Sequence, residues 1–337
     1  MTMYDVAFNL FIASLIGIKG ENASVIADTV SKAKNLLQLH KRPVCAISGG
    51  SDSDIMLDIV YKMDVEKKTT FVFFNTGIEM QPTKDHIKYL ERVYGIEILE
   101  RRPEMTVPAA VNKYGQPFIS KNVSEMIQRL QAHDFAWEDG SFEELWAKYP
   151  NCKCALKWWC NMHPPMKNGD ESKLNIKRHK WLKEFLMTYP PDFKISNKCC
   201  DYGKKKLGHK FYKEIDADLN ITGVRKAEGG VRADSFKSCF SETKLGDAWR
   251  PLFWFSNEDK AAYKEHFNIH YSDCYSLYGL ARTGCAGCPF GRDFEKELNV
   301  LQTYEPMLYK AVSNIFKDSY AYTRKFKEFR KLVEEKN

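Results

Sequence analysis

Hydroxyl, carboxylate and glycine residues are concentrated in one short segment near the beginning of the chain. The segment is VCAISGGSDSD, from Val44 to Asp54. An apolar run that enters a glycine turn and then a helix presents backbone N–H groups that can bind an anion. Gly49 and Gly50 permit positive φ and a close approach of backbone to phosphate. The segment predicts a phosphate cradle, although serine and aspartate also favour the simple cap of a strand-to-helix turn.

The cysteines form a second group with the types and spacing needed for chemistry. The chain has ten cysteines and no recognisable secretion signal, which favours metal or cluster chemistry because the cytosol keeps thiols reduced. TGCAGCPFG contains a C-x-x-C pair whose thiolates can bind one metal centre, and NKCCDYG contains an adjacent pair. An iron–sulfur cluster, structural zinc and unligated buried thiols all remain open on the residues alone. The candidate ligands are Cys199, Cys200, Cys285 and Cys288, with Cys239 and Cys274 as alternatives.

A further ligand-rich stretch is CKCALKWWCNMH, which contains Cys152, Cys154, Cys160 and His163. A folded turn with packed tryptophans and a second metal site are both compatible with this stretch.

Alternating strand and helix patterns must position these residues. Compact apolar runs at 44–48, 70–77 and 96–103 are typical of buried strands, and the two segments between them have the spacing of amphipathic helices. A fourth strand is predicted at 218–225. This order predicts an α/β fold with a doubly wound parallel sheet and right-handed crossovers.

The predicted domain organisation has three parts. Residues 1–40 form a helical N-terminal cap, 41–255 form the α/β domain, and 256–337 form a helical region that contains the C-x-x-C pair. A Cys-rich, mostly helical insertion occupies 104–216 within the α/β domain. Ser256 and Asp259 have the spacing of a capping box ahead of a helix.

The bulk composition is that of an ordinary globular protein. The 337 residues are 44% hydrophobic and carry a net charge of +7, which is compatible with anionic ligands such as nucleotides or nucleic acid. No stretch approaches the roughly 18 to 20 apolar residues that a membrane span requires. The first residues include Asp5 and lack the basic segment of a signal peptide. We therefore expect a soluble, cytoplasmic protein without a membrane partner.

Four segments in order resemble the phosphoadenosine phosphosulfate (PAPS) reductase family of the adenine nucleotide α-hydrolase, or PP-loop ATP pyrophosphatase, superfamily. SGGSDS resembles the superfamily's pyrophosphate loop, SGGxDS. NTGIEMQPT resembles the family's D-T-G-x-x-x-P-E-T segment, and ITGVRKAEGGVR resembles its arginine segment, G-x-R-x-x-(E/D/Q)-S-x-x-R. WRPLFWFSNEDKAAYKEHF resembles the segment W-x-P-(I/L)-x-W-(S/T)-x-x-D-(V/I)-x-x-Y. Together the four segments extend over most of the chain.

The resemblance implies a site for an adenine nucleotide, either ATP or adenylyl sulfate. Asp52 would help to position Mg²⁺ and Arg225 would stabilise charge on the α-phosphate, so these two are the implied catalytic residues. The implied nucleotide-binding residues are Ser48, Gly49, Gly50, Ser51, Asp52, Ser53, Thr76, Gly77, Glu79, Gly223, Arg225 and Arg232.

The cysteine order also has a family counterpart. An adjacent cysteine pair, then the arginine segment, then G-C-x-x-C resembles the iron–sulfur pattern of assimilatory adenylylsulfate reductases. The resemblance implies a 4Fe-4S cluster on Cys199, Cys200, Cys285 and Cys288, with Zn²⁺ as the alternative metal.

Two departures from the family pattern bear on function. Ser51 stands where many sulfonucleotide reductases carry lysine, and the sequence lacks the E-C-G-I-H segment whose cysteine attacks the sulfate. The leading hypothesis is therefore an ATP pyrophosphatase that adenylates an acceptor or transfers sulfur to it. The partners would be a nucleic-acid acceptor, for which KKKLGHKFYK at 204–213 is a candidate surface, and a sulfur-donor or electron-donor protein.

Two other hypotheses remain. The first is a sulfonucleotide reductase that attacks with a different thiol, the candidates being Cys45, Cys152, Cys154 and Cys160. The second is a nucleotide-binding subunit of a larger assembly, with a structural cluster.

Overall fold

The computed structural model describes residues 1–229, 235–291 and 293–335, which form two compact units. The first unit comprises Met1–Glu104 and Gly203–Ala286, except for the residues outside the described ranges. The second comprises Met105–Tyr202 and the described residues from Gly287 onward. The domain boundaries placed at residues 40 and 255 from the sequence stay a prediction.

Helices occur throughout both units, including most of the segment 104–216, as predicted. In chain order the α-helices of the described residues are α1 (Met3–Ser14), α2 (Gly20–Leu39), α3 (Ser51–Met63), α4 (Gln81–Tyr94), α5 (Val107–Tyr114), α6 (Lys121–Gln131), α7 (Phe142–Lys148), α8 (Lys153–Trp159), α9 (Leu182–Thr188), α10 (Lys198–Cys200), α11 (Leu207–Glu214), α12 (Asn257–His266), α13 (Asp273–Ser276), α14 (Phe294–Tyr304), α15 (Pro306–Ile315) and α16 (Lys317–Glu334). No helix in the described ranges is both long enough and apolar enough to cross a bilayer.

A six-stranded sheet lies at the centre of the first unit, within the described residues. The strands are β1 (Pro43–Ile47), β2 (Thr70–Phe74), β3 (Ile98–Arg101), β4 (Leu219–Ile221), β5 (Phe240–Ser241) and β6 (Asp247–Trp249), in the order β3-β2-β1-β4-β6-β5. All neighbouring pairs are parallel except β5 with β6. The predicted α/β class and the first four strands are confirmed. The sequence analysis did not predict β5 and β6, because strands of two and three residues are too short to show periodicity.

Helices cover both faces of the sheet, as a doubly wound fold requires. Cys45 and Phe71 point to the large core that α1, α2, α3 and α12 help to build. Val44 and Val72 point to the opposite face and pack against Phe211 of α11. This alternation follows from the two-residue period of a strand, and both sets are apolar because the parallel sheet is buried on both sides.

The second unit has an aromatic core of its own. Trp158 and Trp159 are buried there together with Phe185, Tyr322 and Phe326. The stretch that contains the two tryptophans is therefore a packed core element, which supports the packing interpretation of CKCALKWWCNMH.

Candidate functional site

The topology brings the predicted nucleotide-binding segments to one sheet edge. The strand order reverses between β1 and β4, and in open α/β sheets ligands bind at such a point, outside the carboxyl ends of the strands. SGGSDS follows β1, NTGIE follows β2 and GVR follows β4. These segments therefore share the edge because the strands that carry them are parallel neighbours.

The loop after β1 has a conformation suited to an anion. Gly49 lies in the left-handed region with φ of 64°. The Ser53 hydroxyl accepts the N–H groups of Ser48 and Gly50 at 3.3 and 3.2 Å and donates to the Gly50 carbonyl at 2.8 Å. This bonding turns the chain directly into α3, whose first N–H groups face the sheet edge as an anion-binding terminus would.

Residues from far along the chain lie over this loop. The backbone N–H of Ser51 donates to the Tyr275 hydroxyl at 2.9 Å. A Cβ atom added at Gly50 would lie 2.9 Å from Oγ1 of Thr283, so the backbone there is approached closely. The sequence analysis did not identify Tyr275 or Thr283 as neighbours of the loop.

Substitution of Gly49 tests how closely the loop is packed. Gly49→Ala is expected to lower the free energy of unfolding by about 1–2 kcal/mol for the left-handed backbone, with an added cost because its Cβ would lie 3.0 Å from Cγ2 of Thr83. Gly77→Ala is the matched control, since Gly77 has φ of 88° but nothing within 4 Å of an added Cβ. Urea unfolding of both variants measures the difference. Equal losses would contradict the crowding at Gly49.

Asp52 is the electrostatic centre of the site. Its Oδ1 lies 3.0 Å from Nε of Arg225 and 2.7 Å from Nζ of Lys260, and its side chain is 14% exposed. Burial by itself would raise the pKa of Asp52, but the hydrogen bond and charge of Lys260, the charge of Arg225 and a hydrogen bond with Glu228 hold the pKa below its ordinary value. The carboxylate is therefore ionised at neutral pH. Lys260 was not identified from the sequence.

Arg225 connects the loop to the beginning of α12. It is 6% exposed. Its Nη1 donates to the carbonyls of Phe255 and Ser256 and to the side-chain oxygen of Asn257, at 3.2–3.4 Å, while its Nε faces Asp52. A planar guanidinium can satisfy all of these acceptors at once. As placed, Arg225 positions Asp52 and α12.

The remaining residues of the arginine segment are placed as follows. A Cβ atom added at Gly223 would lie 3.5 Å from backbone atoms of Asp52 and Ser53, so this glycine lies beside the loop. Arg232 lies outside the described residues, and its predicted role stays a prediction.

The segment after β2 forms a second part of the edge. Thr76 Oγ1 donates to Glu79 at 2.8 Å and lies 3.5 Å from Sγ of Cys285. Asn75, which stands where the family has aspartate, accepts the N–H of Gly77 through its side chain at 2.9 Å. A backbone bridge between Glu79 and Cys285 fixes this contact. The first cysteine of the C-x-x-C pair therefore lies beside two predicted nucleotide-binding residues, Thr76 and Glu79.

The predicted metal ligands are distributed over both units of the chain. Among the described side chains, no group of three or more His, Cys, Asp or Glu residues is placed to hold a metal ion. Cys274, one of the alternative ligands, is buried with its Sγ 3.4 Å from Oγ1 of Thr83. The second alternative, Cys239, is also buried. Cys199, Cys200 and Cys288 belong to the second unit and Cys285 to the first. The iron–sulfur cluster stays a prediction from the sequence.

The thiols considered as substitute nucleophiles are poorly suited to attack. A nucleophilic cysteine needs to be a thiolate, usually through a lowered pKa. Burial instead raises the pKa of Cys45, Cys152 and Cys160, and Cys45 lies in the interior of β1. The exception is Cys154, which is exposed and lies in α8.

Comparison with known proteins defines the class of the domain. Residues 42–147 match the family model described as the phosphoadenosine phosphosulfate reductase domain, which is less than half of the chain. These residues, which include β1, β2 and β3, are therefore similar to that domain. An uncharacterized protein of Methanocaldococcus jannaschii is 38% identical over 85 residues, which are 25% of this chain and only 17% of that protein.

Two solved structures resemble the fold at low identity. One is a PAPS reductase from Candida auris in a phosphate complex, with a TM-score of 0.42 and 12% identity over 82% of this chain and 93% of that chain. Another is the U34-tRNA thiolase NcsA from Methanococcus maripaludis with its 4Fe-4S cluster, with a TM-score of 0.38 and 13% identity over 90% of this chain and 79% of that chain.

Proposed function

We propose that this protein is an ATP pyrophosphatase of the PAPS reductase type, which uses ATP to adenylate an acceptor or to prepare it for sulfur transfer. The observation that carries the proposal is the loop Ser48–Ser53 at the strand-order reversal, with Asp52 held between two cations. A phosphate chain can be bound by the N-terminus of a helix, by backbone N–H groups of glycine and by fixed positive charge, and this loop has all three.

The proposed reaction is displacement at the α-phosphorus. A nucleophilic atom of the acceptor forms a bond to the α-phosphorus, and the bond from that phosphorus to the bridging oxygen breaks. Pyrophosphate leaves with the electron pair, and the acceptor loses its proton to water. The loop N–H groups and the cations around Asp52 would stabilise the charge that develops on the leaving group. In this proposal Asp52 and Arg225 are the residues on which activity depends most.

The site has ligands that fit Mg²⁺. Oδ1 of Asp52 is buried and forms ion pairs with Arg225 and Lys260, and Glu228 hydrogen-bonds to the same carboxylate. One or two carboxylates together with substrate phosphates are the usual ligands of this ion. Asp52 and Glu228 would hold it, and it would neutralise phosphate charge.

A nucleic acid is the proposed acceptor. The lysines of the segment 204–213 are exposed, and two of them, Lys210 and Lys213, lie on α11, whose Phe211 is buried against the sheet. A helix that packs with one face and presents lysines on the other can contact a phosphate backbone. A sulfur-donor or electron-donor protein is the further partner that sulfur transfer would require.

Pyrophosphate release tests the proposal. The protein is incubated with ATP and Mg²⁺, alone and with tRNA or DNA as acceptor, and pyrophosphate and AMP are measured. We expect the amount of pyrophosphate to equal the sum of free AMP and AMP bound to the acceptor, and we expect stimulation by one acceptor. Nucleotide binding without turnover with any acceptor would instead support the binding-subunit hypothesis. Sulfite release from PAPS with thioredoxin would support the reductase hypothesis.

We also propose that Cys199, Cys200, Cys285 and Cys288 bind a 4Fe-4S cluster. The proposal rests on their types and order in the sequence. Anaerobically purified protein is expected to be brown and to contain about four iron and four sulfide per chain. Colourless protein that contains zinc would contradict the cluster and favour Zn²⁺ on the same cysteines.

A further inference from the structure

A lysine from another helix reaches the loop position that lacks one. Lys260 of α12 hydrogen-bonds through Nζ to Oγ of Ser51 and forms an ion pair with Asp52 at 2.7 Å. Ser51 is the loop residue where many sulfonucleotide reductases carry lysine. The ammonium group therefore contacts the side chain of the loop position at which those proteins carry lysine, although it comes from a residue 209 positions later.

Position 260 is itself a departure from the family segment. In W-x-P-(I/L)-x-W-(S/T)-x-x-D-(V/I)-x-x-Y, the residue after the aspartate is valine or isoleucine, and in this chain it is lysine. Compared with the family pattern, the chain thus lacks a lysine at position 51 and has an additional lysine at position 260. The fold brings these two positions into contact. Lys260 is directed at the loop, where it contacts Ser51 and Asp52. A lysine on an exposed face of the helix would make neither contact.

The helix that carries Lys260 is firmly placed. Its N-terminus has the predicted capping box, in which Ser256 Oγ accepts the N–H of Asp259 at 3.0 Å and Asp259 accepts the N–H of Ser256 at 2.8 Å. One turn later, the Tyr263 hydroxyl donates to the buried carboxylate of Asp58 in α3 at 2.6 Å. Contacts to the same helix before and after Lys260 fix the direction of its side chain.

Lys260 differs from the other cation of the site in what it can contact. Arg225 is 7% exposed in its side chain, and its Nη1 bonds backbone carbonyls. The side chain of Lys260 is 19% exposed and ends at the loop hydroxyl and Asp52. A lysine ammonium is a compact charge with three donors on a flexible stem, so it can turn from a carboxylate to a phosphate oxygen.

We propose that Lys260 binds the phosphate chain of the nucleotide and takes the place of the loop lysine that Ser51 replaces. The proposal rests on the proposed function, in which this loop binds a nucleotide. It adds a substrate-binding residue from α12 that belongs to none of the family's phosphate-binding segments.

The test is the binding of inorganic pyrophosphate, ATP and adenosine to the full chain by calorimetry. Lys260→Met is expected to weaken pyrophosphate and ATP binding by about 10- to 100-fold, the range for loss of a charged hydrogen bond, and to leave adenosine binding unchanged. Lys264→Met is the matched control. Lys264 lies one turn further along α12, is exposed, and has its Nζ 5.1 Å from the Tyr271 ring, which Lys260 also faces at 5.7 Å.

Moving the lysine back tests the positional claim. In the double variant Ser51→Lys, Lys260→Met, pyrophosphate affinity is expected to return to within about threefold of the natural protein, because the charge is restored at the same place. Lys260→Arg, which keeps a cation on α12, is expected to retain most of the affinity. Far-UV circular dichroism and the thermal midpoint identify any variant that fails to fold.

The outcomes separate the two proposals. If the natural protein binds neither ATP nor pyrophosphate, the proposed function fails and this inference fails with it. If the natural protein binds both and Lys260→Met binds pyrophosphate equally well, only the inference is overturned. Equal weakening of adenosine and pyrophosphate binding would also overturn it, since that result indicates a structural role.

Discussion

Replacement of Asp52 by alanine is expected to reduce pyrophosphate release from ATP by at least about 100-fold, the scale on which preorganised charge at a reacting group acts. The carboxylate is the common partner of Arg225 and Lys260, and it is the proposed metal ligand. Its removal leaves two cations without their shared anion. Arg225 and Lys260 would then repel each other or bind the nucleotide in unproductive positions.

Two further variants control for this result. Asp52→Asn keeps the shape of the side chain and removes the charge, so it is expected to lose nearly as much activity as the alanine variant. Asp28→Ala removes a carboxylate of α2 that is 61% exposed and paired with Lys32, and it is expected to have no effect on activity. Full activity in Asp52→Asn would show that the negative charge is not required and would contradict the proposed mechanism.

The lowered pKa of Asp52 has a consequence for stability. A carboxyl whose folded pKa lies below its unfolded value of 3.8 stabilises the folded protein above that value, and the contribution is lost as pH falls through the folded pKa. The difference in unfolding free energy between the natural protein and Asp52→Asn should therefore be largest at neutral pH and shrink towards about pH 3. Urea unfolding at several pH values measures it. A difference that grows on acidification would contradict the sign of the shift.

Replacement of Arg225 by methionine is expected to lower the free energy of unfolding by about 3 kcal/mol, since the buried Asp52 carboxylate loses one of its two cation partners and keeps only Lys260. Three acceptors at the beginning of α12 also lose their donor. Pyrophosphate release should fall at least as far as in the Asp52 variants, because both the position of Asp52 and that of α12 depend on this residue.

Arg225→Lys distinguishes charge from geometry. A lysine keeps the charge but cannot contact Asp52 and the α12 acceptors together, so it is expected to recover little of either loss. Arg102→Met is the matched surface control, because Arg102 is 73% exposed and pairs with Glu100, and its cost should be below about 1 kcal/mol. If Arg225→Met is as stable as the natural protein, the buried ion pair between Arg225 and Asp52 does not hold the site together.

Local sequence was sufficient to predict the elements that position the site. The apolar runs before Ser48 and before Asn75 are long enough to be recognised as strands, and they end at polar segments as ligand edges do. The capping box at Ser256 and Asp259 was also predicted, because it depends on residues three positions apart. The short pair β5 and β6 was missed, since their pairing depends on neighbours in the sheet more than on their own residues.

The sequence by itself determined the position of the loop Ser48–Ser53 after β1, the fold class and the order of the segments, because each depends on neighbouring residues and on a regular period. The tertiary structure alone decided which distant side chains meet at the loop. Lys260 meets Ser51, Tyr275 caps the loop backbone, and Cys285 lies against Thr76 only because the folded chain brings them together. Such contacts have no period in the sequence. They follow from the packing of α12 and of the segment before Ala286 on the sheet edge.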